Sequence, residues 1–144
     1  MSGGRLPTNQ EWQAAAGTPA PGTDNGTTDC NVSAAATAVA TGARTGCVSA
    51  WGAFDMVGNV NEWVADWMPT STACPGWATF SGGSTTSNSM CLAGADTITP
   101  APAALVRGGG YQAVGGDANA GIFTVIGFFG PQTGNAVIGF RCGR

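Results

Sequence analysis

The sequence predicts an α+β domain of short strands and long loops with few helices. Three observations carry that reading: one helix with complete start and stop signals near the N-terminus, strand-length apolar segments between turn residues in the second half, and glycine at 24 of 144 positions. So much glycine specifies a backbone held by turns and tertiary contacts more than by long regular elements.

The helix is read from 7-PTNQEWQAAAG-17. Thr8 can cap it, Glu11 stands three residues on as the reciprocal partner of a capping box, and Gly17 supplies the stop. From Thr18 to Ala50 the chain is Gly, Thr, Pro and Ala with weak periodicity, a long loop with one helical turn expected near 34–40. The segment 62-EWVADW-67 alternates as a strand that would put Trp63, Ala65 and Trp67 on one face. Residues 68–103 are loop-like again, and strands are expected at 104–108, 121–125 and 137–142.

At 144 residues the chain is expected to be a single domain over 1–144, long enough to bury roughly two thirds of its unfolded surface. Charged residues are only 9% of the total, the net charge is −3, and the five Lys and Arg are scattered singly. No basic stripe exists to neutralise a phosphate backbone, so nucleic acid is not an expected partner. The longest apolar stretch, 120-AGIFTVIGFFG-130, is about half of the ~20 residues that span a bilayer, and no membrane insertion is expected. There is no histidine. Ser-His and Cys-His nucleophile pairs, His-ligated zinc and haem on a proximal His are thereby excluded, and no redox cofactor is expected.

Four of the five cysteines fall into two segments of equal span, Cys30 to Cys47 and Cys74 to Cys91, each enclosing a polar loop. Neither has the C-x-x-C spacing of a zinc or redox site. Two local disulfides are the first choice, each contributing on the order of 3 kcal/mol by loop entropy. Four unpaired thiols in a reducing cell are the other reading. Cys142 is left over and is expected buried at the end of the final strand.

The most informative stretch is 54-FDMVGNVNEWVADW-67. Gly58 and Asn59 both tolerate left-handed backbone, so a tight turn is expected there, with carbonyls free to point inward. Asp55 and Glu62 flank it. Two carboxylates around a carbonyl-rich turn suit a hard cation such as calcium, which takes roughly six to eight oxygens at about 2.4 Å. The plainer reading is that Asp55 caps the turn and Glu62 pairs with an arginine such as Arg107.

Taken in order, 5-RLPTNQEW-12, 54-FDMVGNVNEW-63, 106-VRGGGY-111 and 138-IGFRC-142 closely resemble the formylglycine-generating enzyme and sulfatase-modifying-factor family, whose domains have a variant of the C-type lectin fold. The resemblance spans nearly the whole chain. Family domains usually have further strands before the R-L-P-T helix, which points to a trimmed or minimal domain. The resemblance also implies calcium in the turn, held by the Asp55 side chain, the Gly58 and Val60 carbonyls and the Glu62 side chain. Family enzymes bind copper through a cysteine pair shortly after R-G-G-S, and 107-RGGGYQAVGGDANAGIFTVIG-127 has no cysteine. Family sulfoxide synthases need histidines, which are also absent. The resemblance therefore implies the fold without either active site.

Residues 106–144 resemble instead the variable region of diversity-generating retroelement proteins, in which adenine-directed reverse transcription rewrites selected codons on a fixed lectin-type scaffold. The frame matches at 107-RGG-109, 119-NAG-121, Phe123, Pro131 and 138-IGFR-141. Between those anchors stand Tyr111, Ala113, Val114, Gly116, Ile126, Phe128, Phe129, Thr133, Asn135 and Val137. All are reachable from an AAC or AAT codon by adenine mutation, which excludes Gln, Glu, Lys, Met and Trp; Gln112 and Gln132 should then be fixed. The resemblance implies that these side chains project from one surface to bind a protein or glycan, on a virion or cell surface. An enzyme of the sulfatase-modifying type and a structural assembly domain are the alternatives. Trp63 and Phe140 are expected in the core, whereas Phe128, Phe129 and Val137 are expected at the surface.

Overall fold

The computed structural model describes residues 3–17, 24–33, 35–71, 92–98, 100–112 and 120–143. Helix α1 runs Asn9–Ala16, and four strands follow: β1 Asn61–Pro69, β2 Pro102–Gly108, β3 Gly121–Ile126 and β4 Ile138–Phe140. They form one sheet in the order β3-β2-β1-β4. β1 pairs antiparallel with β2 and β2 with β3, while β4 lies parallel to the start of β1. The helical turn expected near 34–40 is absent over 35–40, which is irregular.

The helix begins as its local signals dictate. Thr8 Oγ1 accepts from the Glu11 N–H at 3.2 Å, the Glu11 carboxylate accepts from the Thr8 N–H at 2.8 Å, and the Gly17 N–H closes the end on Gln13 O. Arg5 adds two bonds to the same carboxylate, at 2.5 and 2.7 Å. Hydrogen bonding from Arg5 above all, then from the Thr8 backbone, holds Glu11 at a pKa of about 2, below its ordinary 4.5. A depressed acid stabilises the folded state fully above 4.5 and loses that contribution as pH falls towards 2. The Glu11→Gln variant is therefore expected to show a flatter melting temperature between pH 4.5 and 2 than the parent. A parallel decline would remove Glu11 from the acid response. The pair is half exposed, so salt should shrink the difference.

Helix α1 lies on one face of the sheet. Trp12 and Ala16 are buried there with Val64, Leu105, Met56, Val57 and Ile122, and the Cys30–Cys47 disulfide joins this core. Pairing at the first cysteine pair is as expected; Cys74 and Cys91 lie outside the described residues.

β1 alternates as read, but with the opposite face inward. Glu62 and Val64 are buried, Ala65 is exposed and Trp67 is 62% exposed. Burial of Glu62 decides the parity, because Trp12 and Arg141 both bond its carboxylate from the helix side. Phe140 stands in register with Trp63, not Glu62, and so shares the outer face; it is 67% exposed rather than core. Cys142 is likewise an exposed free thiol, not a buried one. Beyond β4 the chain pairs Gly143 with Arg5, which carries Cys142 along the edge of the sheet instead of into the interior.

Candidate functional site

Two regions bear on function: the turn at 54–62 and the outer face of the sheet. In the turn, Asp55, Gly58 and Asn59 have φ of 56°, 73° and 61°. Gly58 has no alternative, since a Cβ there would lie 2.4 Å from Asn31 O. Asn59 clips the disulfide-tied loop to the turn. Its N–H donates to Asn31 O, its side-chain oxygen accepts from the Val39 N–H at 2.8 Å, and its side-chain amide donates to Val39 O at 3.0 Å. Asn61 performs the same service for the C-terminal segment, donating to Val137 O from both backbone and side chain at 2.8 and 3.1 Å. These two asparagines are structural joints that sequence reading missed; their only signal was three asparagine or glycine residues around one tight turn.

The two carboxylates have separate environments. Asp55 Oδ2 accepts from the Gly42 N–H at 2.8 Å, so it ties down the turn at Gly42 and not, as expected, its own, while Oδ1 is buried without a hydrogen-bond partner among the described residues. Burial pushes the Asp55 carboxyl up, opposed by the Gly42 N–H and by Arg141 and Arg44. Glu62 Oε2 accepts from Trp12 Nε1 and Arg141 Nε, both at 2.6 Å, and Oε1 accepts from Arg141 Nη2 at 2.5 Å. Glu62 thus pairs with an arginine, but with Arg141 in place of Arg107. With both Glu62 oxygens engaged and its charge neutralised, the turn as built does not fit calcium.

Arg107 stands opposite Glu62 on β2 yet turns towards β3. Between the pairs Arg107↔Val125 and Gly108↔Gly121, residues 122–124 of β3 have no partner on β2. The guanidinium fills that gap: it donates to Ile122 O at 2.9 Å, Thr124 O and Phe123 O, and to Gln13 Oε1, and it lies 4.6 Å over the Trp12 ring. Burial lowers its pKa to about 10, so it stays charged at neutral pH. The R-G-G motif is therefore a splint between two strands, and Gly108 follows because a Cβ there would meet Met56 O at 2.9 Å.

On the outer face, Phe128 is 42% exposed and packs 4.5 Å from Phe129, which meets Trp63 edge-on at 6.4 Å. Phe140 and Trp67 stand on the same face of the strands. Asn135 is exposed, and Thr133 and Val137 are partly exposed. Ile126 and Tyr111 depart from the expected display: both are buried, at 8% and 7%. Ile126 pairs with Val106 on the central strand β2, and Tyr111 is tied through its N–H to Asn59 O. Ala113, Val114 and Gly116 lie outside the described residues. A cavity of about 350 Å³ opens elsewhere, between α1 and the two chain ends, with Arg5, Trp12, Arg141 and Cys142 in its wall.

The arrangement of R-L-P-T helix, G-N-V-N-E-W turn, R-G-G splint and terminal I-G-F-R strand is matched over residues 1–144 by the Sulfatase-modifying factor enzyme 1-like domain. The chain belongs to this family. Among curated proteins none matches this sulfatase-modifying-factor-like domain. Among solved structures it is similar to Treponema denticola variable protein 1, at 22% identity and a TM-score of 0.53. That likeness shows the fold. It covers 96% of this chain and 46% of the other, so the domain spans about half the length of that relative.

Proposed function

We propose that this domain is a ligand-binding display module and not an enzyme, with residues 106–144 diversified by a retroelement to recognise varied protein or glycan targets. The observation that carries the reading is the outer face of the sheet. There the segment that departs from the family frame places Phe128 and Phe129 beside Trp63, on the side away from the helix and the core. Large rigid rings at a surface offer contact area at low entropy cost. The relative's printed name, a variable protein, agrees with the same reading. The variable contacts are Phe128, Phe129, Thr133, Asn135 and Val137, together with Ala113, Val114 and Gly116 as the resemblance implies. The Cys30–Cys47 disulfide suits a virion or cell surface.

Sequencing the surrounding locus tests the diversification. A near-copy of the 106–144 codons, carrying adenines at the divergent positions and lying near a reverse transcriptase, is expected; a locus without one removes the reading. At the protein level, Phe128→Ser should lower stability by only about 0.5–1 kcal/mol in urea unfolding, because its ring is part-exposed. Phe140→Ser should be similarly mild. A loss of several kcal/mol from Phe128→Ser would make the ring core.

A second reading, an oxygen-dependent cysteine oxidase with a displaced site, draws on the exposed Cys142 thiol in the wall of the 350 Å³ cavity. Oxygen consumption with a cysteine peptide and copper would support it, and a null result would leave the display reading.

A further inference from the structure

We infer that Arg141 takes the place at the 54–62 turn of the calcium ion that the family resemblance implies, so that this chain closes the turn with its own cation. The guanidinium approaches Glu62 side-on, giving Nε to one oxygen and Nη2 to the other, while the same Nη2 donates to Phe54 O at 3.0 Å. One arginine thus neutralises the acid at the end of the turn and ties down a carbonyl at its start, the two tasks that a bound dication would perform. Trp12 Nε1 adds a third donor to Glu62. What remains for a metal is Asp55 Oδ1 with the Gly58 and Val60 carbonyls, at most three oxygens against the roughly six to eight that calcium takes. The Gly58 Cα is packed against Asn31 and Val32, so closely that a Cβ would sit 2.4 Å from one and 2.8 Å from the other, which holds the backbone of the turn in place. Asn59 O is already bonded by the Tyr111 N–H at 3.0 Å. Asp55 is also within electrostatic reach of both Arg141 and Arg44, and a dication at its free oxygen would be repelled by each.

The inference does not depend on the display reading and is tested apart from it. The full chain is stripped with EDTA, titrated with calcium chloride by calorimetry, and melted in EDTA and in millimolar calcium. No saturable heat and melting temperatures within ~1 °C of each other are expected. Asp55→Gly provides the control, because glycine suits the φ of 56° and carries no ligand oxygen. That variant should melt a few degrees lower, by the same amount in EDTA and in calcium, through loss of the Gly42 bond. A calcium-dependent rise in the parent that Asp55→Gly abolishes would overturn the inference. A rise that survives unchanged in Asp55→Gly assigns the ion to another part of the chain and upholds it.

Discussion

The Glu62→Ala variant is expected to be unfolded, or close to it, at room temperature. Its carboxylate takes three charge-assisted or short hydrogen bonds at the junction of α1, β1 and the C-terminal segment. Removing one partner of a buried ion pair strands the other, at a cost of about 3–5 kcal/mol, and Trp12 Nε1 would lose its Glu62 acceptor in a fully buried site. A domain of this size has about 5–15 kcal/mol in total. Glu62→Gln should lie between the two, since its amide oxygen can still accept from Trp12 but cannot neutralise Arg141. Urea unfolding followed by tryptophan fluorescence ranks the three, and a Glu62→Ala midpoint equal to the parent would show that the pair contributes nothing.

The second large effect is expected from Arg107→Ala, about 3–5 kcal/mol from the backbone carbonyls it leaves without donors. The guanidinium satisfies the carbonyls of Ile122, Phe123 and Thr124, which the irregular pairing with β2 leaves open. Buried carbonyls without donors each cost about 1–3 kcal/mol, and truncation also opens a void beside Trp12. Arg107→Lys is expected to recover little, because an ammonium cannot reach three carbonyls and stack on the ring at once. Hydrogen exchange locates the damage: amides of β3 should lose protection before those of β1. Uniform loss of protection would assign Arg107 to global stability rather than to the β2–β3 junction.

These two arginines show why the partner of Glu62 was misread from the sequence. Arg107 is the register neighbour of Glu62 across β1 and β2, and a pairwise argument chooses it. Neighbouring Cα positions do not fix where a long side chain ends. Arg107 is drawn to carbonyls that exist only because β3 bulges away from β2, and Arg141, 79 positions from Glu62 in sequence, arrives by way of β4. The alternation of β1 was legible for the same local reason that its direction was not. Period-two patterning sorts residues into two faces, but with Trp63 and Trp67 on one and Glu62 and Val64 on the other, hydrophobicity pointed the wrong way. A buried, fully bonded glutamate overrode it.

What the sequence determined by itself are features that close within a few residues or rest on backbone chemistry: the Thr8–Glu11 cap, the Gly17 stop, the left-handed turn at Gly58 and Asn59, the strands, and one disulfide across a short loop. Only the tertiary structure decided which face of the sheet meets α1, which arginine meets Glu62, and that Phe140 is exposed while Ile126 is buried. Those outcomes depend on contacts between segments far apart in the chain. A side chain's burial there is set by what the rest of the fold brings over it, and no local pattern encodes that.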